Sequence, residues 1–129
     1  MMKAMIVDDS RAMRSLLRKI LTENGFEVVA EAENGREGLE HLNRIGWLDL
    51  TLLDWNMPVM NGYELLCEVR KHAKWNDMRV MLVTTETEAS QILLALDAGA
   101  DEYLIKPFVK EALREKLSVM GLLDGMGDL

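Results

Sequence analysis

Five short apolar runs alternate along the chain with five longer stretches whose apolar residues recur every three or four positions. Met5-Ile6-Val7 begins the first run, and Asp8-Asp9-Ser10 ends it. Met13, Leu16, Leu17, Ile20 and Leu21 then fall at helical spacing, which predicts a helix that buries this face, capped by Ser10 and stopped at Asn24-Gly25. Phe26 to Ala32 reads as a second strand, followed by a helix with Leu39, Leu42 and Ile45 on one side, closed by Gly46. A third strand is expected over Leu48 to Leu53, and a helix from about Gly62 to His72 that buries Leu65, Leu66 and Val69. Arg79 to Val83 is the fourth strand, Ala89 to Ala98 a helix closed by Gly99, and Glu102 to Ile105 a short fifth strand. Val109 to Met120 is the last helix, with Leu113, Leu117 and Met120 inward, before Gly121 and a short tail over 122–129.

Strand and helix alternating in this way call for a parallel sheet covered by helices on both faces. The near-continuous apolar character of Leu50–Leu53 and Val80–Val83 agrees, because parallel strands are buried on both sides. The expectation is an α/β chain of one domain over 1–121, with right-handed crossovers.

Composition narrows the function. The net charge of −7 leaves no basic surface for phosphates, so no nucleic acid is expected as a partner. No apolar run approaches the length of a membrane span and the N-terminus carries no apolar signal segment, so no membrane association is expected. The lone Cys67 cannot form an intrachain disulfide, which suits a reducing, cytoplasmic location.

The polar residues that end the strands carry the chemistry. They are Asp8 and Asp9, Asp54, Thr84 and Lys106, so four of the five strands deliver a polar or charged group to one edge of the sheet. In open α/β sheets the ligand site lies beyond the carboxyl ends of the strands. Asp8-Asp9 alone also fits a turn before a helix, and Lys106 alone a solvated strand end. Their convergence is what points to a site. Three carboxylates together raise one another's pKa, and a divalent cation relieves that. An all-oxygen set without His or Cys suits Mg²⁺ better than zinc. Lys106 adds a fixed positive charge and Thr84 a hydroxyl, chosen over Thr85 because it directly follows Val83. Such a set can hold a transferring phosphoryl group, with Asp54 as the nucleophile that forms an acyl phosphate.

The words Ile6-Val7-Asp8-Asp9-Ser10, Asp54-Trp55-Asn56-Met57-Pro58, Asn61-Gly62, Val83-Thr84, Ala98-Gly99-Ala100 and Lys106-Pro107-Phe108 together resemble the receiver domain of bacterial two-component response regulators, and most of all its single-domain chemotaxis members. The resemblance runs from about Lys3 to Met120. It implies a flavodoxin-like doubly wound sheet of order 2-1-3-4-5. It implies that Asp54 accepts a phosphoryl group from a sensor histidine kinase, CheA-like in a chemotaxis system. Asp9, Asp54 and the backbone carbonyl of Asn56 would bind Mg²⁺ directly, and Asp8 through water. Lys106 would pair with the phosphoryl group and precede a cis peptide at Pro107. Thr84 would move toward the modified site and Tyr103 would then turn inward, while Asn56 and Glu86 tune self-dephosphorylation.

The function expected is thus a monomeric, phosphorylation-switched binding module rather than an enzyme acting on metabolites. Its output partner would be a flagellar motor switch protein; the alternative is a stand-alone receiver that serves as a phosphorelay intermediate or regulates a non-motor partner. A metal-dependent phosphohydrolase with an aspartyl nucleophile is a lesser alternative. Such enzymes generally want an acid two residues past the nucleophile, where this chain has Asn56.

Overall fold

The computed structural model describes residues 1–123. Its elements are β1 (Met2–Val7), α1 (Arg11–Glu23), β2 (Phe26–Ala32), α2 (Gly35–Ile45), β3 (Leu50–Leu53), α3 (Gly62–Arg70), β4 (Arg79–Thr84), α4 (Ala89–Asp97), β5 (Glu102–Ile105) and α5 (Lys110–Val119). The strands form one parallel sheet of order β2-β1-β3-β4-β5, with Ile6 beside Leu52, Leu52 beside Met81 and Val83 beside Leu104. This is the flavodoxin-like architecture that the resemblance implied. The order reverses between β1 and β3, so the chain leaves both strands in opposite directions and opens a crevice between Asp8 and Asp54.

Side chains on a strand alternate between faces, and the sheet therefore divides two cores. Met5, Val7, Leu53, Val80 and Leu82 pack with Leu42 of α2 and with Leu65, Leu66 and Val69 of α3. Ala4, Ile6, Leu50, Leu52, Met81, Val83 and Leu104 pack with Leu17, Ile20 and Leu21 of α1 and with Leu113 and Leu117 of α5. Both faces are covered, which is why the central strands read as unbroken apolar runs.

Several expectations are corrected. Leu16 lies outside the buried stripe of α1 and is 44% exposed, because the stripe is centred on Leu17, Ile20 and Leu21. The first strand starts at Met2, drawn out by pairing of Met2 with Phe26. The third starts at Leu50; Leu48 is buried but precedes the ladder. Helix α3 stops at Arg70, short of His72, and a 3₁₀ turn over Ala73–Trp75 follows. That turn buries Trp75, whose indole donates to the Gly46 carbonyl at 2.8 Å. Of the expected tail, Leu122 and Leu123 pack against the second core, while residues 124–129 lie outside the described residues.

Helix α4 sits shallowly. Ala95 is buried, Leu93, Leu94 and Leu96 are exposed, and the N-cap Glu88 makes no side-chain capping bond. Its far end is held by Arg70. The guanidinium donates from Nε to the Gly99 carbonyl at 3.0 Å and from Nη1 to the carbonyls of Trp75 at 2.8 Å and Asn76 at 3.4 Å. Its Nη2 reaches the Met78 carbonyl at 2.9 Å and Asp101 Oδ2 at 3.0 Å.

Candidate functional site

The crevice holds Asp8 and Asp9 after β1, Asp54 after β3 and Lys106 after β5. The carboxylates of Asp8, Asp9 and Asp54 lie with one oxygen of each within 4.8 Å of the others. The Lys106 ammonium donates to Asp8 Oδ2 at 2.8 Å and to Asp54 Oδ2 at 3.1 Å. Each of these two carboxylates has a second donor at its other oxygen. The Ser10 N–H reaches Asp8 Oδ1 at 2.8 Å, and the Trp55 N–H reaches Asp54 Oδ1 at 2.7 Å. Asp8 is almost wholly buried and Asp9 is exposed. Residues from three strand ends, far apart in sequence, thus meet as the sequence predicts.

The charges are unbalanced, with three carboxylates against one ammonium. Burial raises the pKa of Asp8; the bonds from Lys106 and Ser10 lower it, and the charge of Asp54 raises it again. Burial works against the Lys106 ammonium, but its bond to Asp8 and the charges of Asp54 and Asp8 outweigh it and raise the lysine pKa. A convergent, all-oxygen acidic set with excess negative charge can hold a hard cation. A concavity at the opposite end of the sheet, beside Met2, Phe26 and Arg114, lies away from this chemistry.

Thr84 is fully buried at the end of β4 whereas Thr85 is exposed, and the Thr84 carbonyl accepts from the Lys106 N–H at 2.8 Å. The Thr84 hydroxyl accepts from the Glu86 N–H at 3.3 Å. Tyr103, placed inward by the resemblance only after phosphorylation, is already inward here. It is 8% exposed and its hydroxyl donates to the Glu86 carbonyl at 2.8 Å. Asn56 is exposed in the loop after Asp54. The Lys106–Pro107 peptide is cis.

Two contributors were not foreseen. Gly62 donates its N–H to the Trp55 carbonyl at 2.8 Å, and a Cβ there would collide with the Asp54 backbone oxygen. Only glycine lets α3 start this close to the strand exit. Asn-Gly after a loop signals a turn but not this approach. Arg14 of α1 donates from Nη1 to the Asp8 carbonyl at 2.7 Å while its Nε pairs with Glu31 at 3.3 Å. In the sequence it is one of several polar residues on the first helix.

Comparison with known proteins places this geometry. A family model described as response regulator receiver domain matches residues 4–118. The chemotaxis protein CheY homolog of Campylobacter jejuni is 42% identical over 127 residues, covering 98% of each chain. The structure of Vibrio cholerae chemotaxis protein CheY4 superposes with a TM-score of 0.85 at 33% identity, covering 93% of this chain and 98% of that one. The CheX-CheY-BeF3-Mg+2 complex from Borrelia burgdorferi gives a TM-score of 0.84 at 27% identity over 92% of this chain and 88% of that one. Fold, strand-end residues and sequence agree, and the chain belongs to the response regulator receiver domain family.

Proposed function

We propose that this chain is a chemotaxis response regulator that accepts a phosphoryl group on Asp54 in a Mg²⁺-dependent reaction and thereby changes its affinity for a protein partner. The observation that carries this reading is Lys106 bridging Asp8 and Asp54 beside the open carboxylate of Asp9. The relatives named for chemotaxis and the family match support it.

Asp8, Asp9 and Asp54, with the backbone carbonyl of Asn56, would hold the ion. When bound, Mg²⁺ supplies charge neutralisation for the phosphoryl oxygens. The chain's own residues do the rest. An Asp54 carboxylate oxygen attacks phosphorus as the P–N bond of a donor phosphohistidine breaks, and the imidazole leaves with its electron pair and takes up a proton. Lys106 exchanges its bond to Asp54 for one to a phosphoryl oxygen, and its charge stabilises the transferring group. The Thr84 hydroxyl turns from the Glu86 N–H to donate to the same group. That motion tightens the segment leading to Glu86 and favours the inward Tyr103, shifting a pre-existing equilibrium of the α4–β5–α5 face. A histidine kinase upstream and a motor switch protein downstream are the partners this reading assigns.

Incubation with a small phosphodonor tests it. An alkali-labile modification is expected with Mg²⁺ and not without it, and Asp54→Asn abolishes it. A stable modification elsewhere, or none, overturns the reading.

A further inference from the structure

We propose that Arg14 is a positioning residue for the cation site, fixing the peptide that carries Asp9. The inference rests on the reading of the acidic crevice as a Mg²⁺ site. Of the three carboxylates, Asp8 and Asp54 are each held by a backbone N–H and by Lys106. Asp9 is exposed, and among the described residues its carboxylate accepts no hydrogen bond. No side-chain bond fixes its rotamer, so the reach of its carboxylate depends on where the backbone places the residue. On the Asp8 side, the N–H of Asp8 is tied to the Ala32 carbonyl at 3.0 Å by the sheet. The peptide between Asp8 and Asp9 is tied by one side chain, Arg14, through the 2.7 Å bond to the Asp8 carbonyl.

Arg14 is itself pinned. Its side chain is 11% exposed, its Nε pairs with Glu31 of β2 at 3.3 Å, and its Nη2 lies 3.9 Å from Glu33. Glu31 is in turn fixed by Arg18 at 2.6 Å. The planar fork holds a carbonyl and a carboxylate in one fixed relative geometry, whereas a lysine ammonium on its flexible stem imposes no such direction. The loop bearing Asp9 is thus braced against α1 and β2. Residues behind the ligands that orient them commonly govern metal affinity.

The sign of the effect separates positioning from bulk charge. Removing a cation from beside an acidic site would, by charge alone, tighten Mg²⁺ binding. Loss of positioning weakens it. Titration calorimetry with MgCl₂ on the wild type, Arg14→Ala, Arg14→Lys and Glu31→Gln, with thermal melts in the absence of Mg²⁺ to check folding, decides between them. We expect Arg14→Ala to bind about tenfold more weakly, at the low end of losses for such partners. Arg14→Lys keeps the charge but not the fork and should fall between wild type and Arg14→Ala, as should Glu31→Gln. Unchanged or tighter binding in a folded Arg14→Ala overturns the inference while leaving the Mg²⁺ reading intact. If Arg14→Ala does not fold, wild-type affinity in both other variants overturns it equally. A wild type that does not bind Mg²⁺ overturns both.

Discussion

The Tyr103 hydroxyl donates a 2.8 Å hydrogen bond to the backbone carbonyl of Glu86, which ties β5 to the segment just beyond Thr84. Burial, with the nearby charges of Glu86 and Asp54, pushes the phenol up from its usual value near 10 to about 12. The folded protein therefore holds this proton more tightly than the unfolded chain. The associated stability is fully present below pH 10 and is lost as the pH rises toward 12. Denaturant unfolding at stepped pH should show that decline, and Tyr103→Phe should remove its share of the slope. At neutral pH the same variant should lose about 1 kcal/mol with the hydrogen bond.

Lys106 is the internal counter-ion of Asp8 and Asp54. Lys106→Met leaves the acidic crevice without a cation of its own. Removing one partner of a buried pair costs about 3–5 kcal/mol, and a crevice open to water should bring the loss to the low end or below. Added Mg²⁺ should raise the melting temperature of this variant more than that of the wild type. Asp54 should remain open to phosphorylation in Lys106→Ala, with partner binding impaired. Equal stabilisation of variant and wild type by Mg²⁺ would refute the counter-ion role.

Gly62 meets the Asp54 backbone so closely that no Cβ fits. Gly62→Ala must displace either the start of α3 or the exit of β3. Overpacking of this kind costs about 1–3 kcal/mol, and here it also moves the carboxylate of Asp54. Both thermal stability and the yield of acyl phosphate should fall together.

Val59 adopts φ of 69° at an exposed position in the loop after Asp54. A β-branched residue is poorly suited to the left-handed region, whereas Asn tolerates it. Val59→Asn should stabilise the protein by about 0.5–1 kcal/mol in chemical denaturation. A loss of stability would show that the Val59 side chain contributes more than its backbone costs.

Much of this was legible in the sequence. Phe26–Ala32 and Glu102–Ile105 match the observed strands residue for residue because turn residues bracket both. Asp8, Asp54 and Lys106 could be grouped because each directly follows an apolar run, with Asp9 next to Asp8, and strand ends in a parallel sheet share an edge. What was not legible depends on three-dimensional approach. Leu16 has the right spacing, but the width of a buried stripe is set by the neighbouring elements. The 3₁₀ turn at Trp75 is tied down by an indole that reaches the Gly46 carbonyl across the fold and by Arg70 on its carbonyls, contacts that no local pattern shows. Arg14 and Gly62 act on backbone atoms of other segments, and no local pattern announces that. Tyr103 could be assigned to its strand from pattern, but its inward rotamer depends on the Glu86 carbonyl of another segment.

Arg70 uses all five of its N–H donors on acceptors at Gly99, Trp75, Asn76, Met78 and Asp101. The end of α4 is therefore anchored by five bonds where the helix gives way to β5, while among the described residues the segment before its start is tied to β5 by the single Tyr103 bond to the Glu86 carbonyl. A rod fastened at one end swings; it does not slide. On the proposed function, a push arriving from Thr84 should displace the first turn of α4 most and fade toward Asp101, and the change in surface would then be graded along a single helix with Gly99 as the fulcrum.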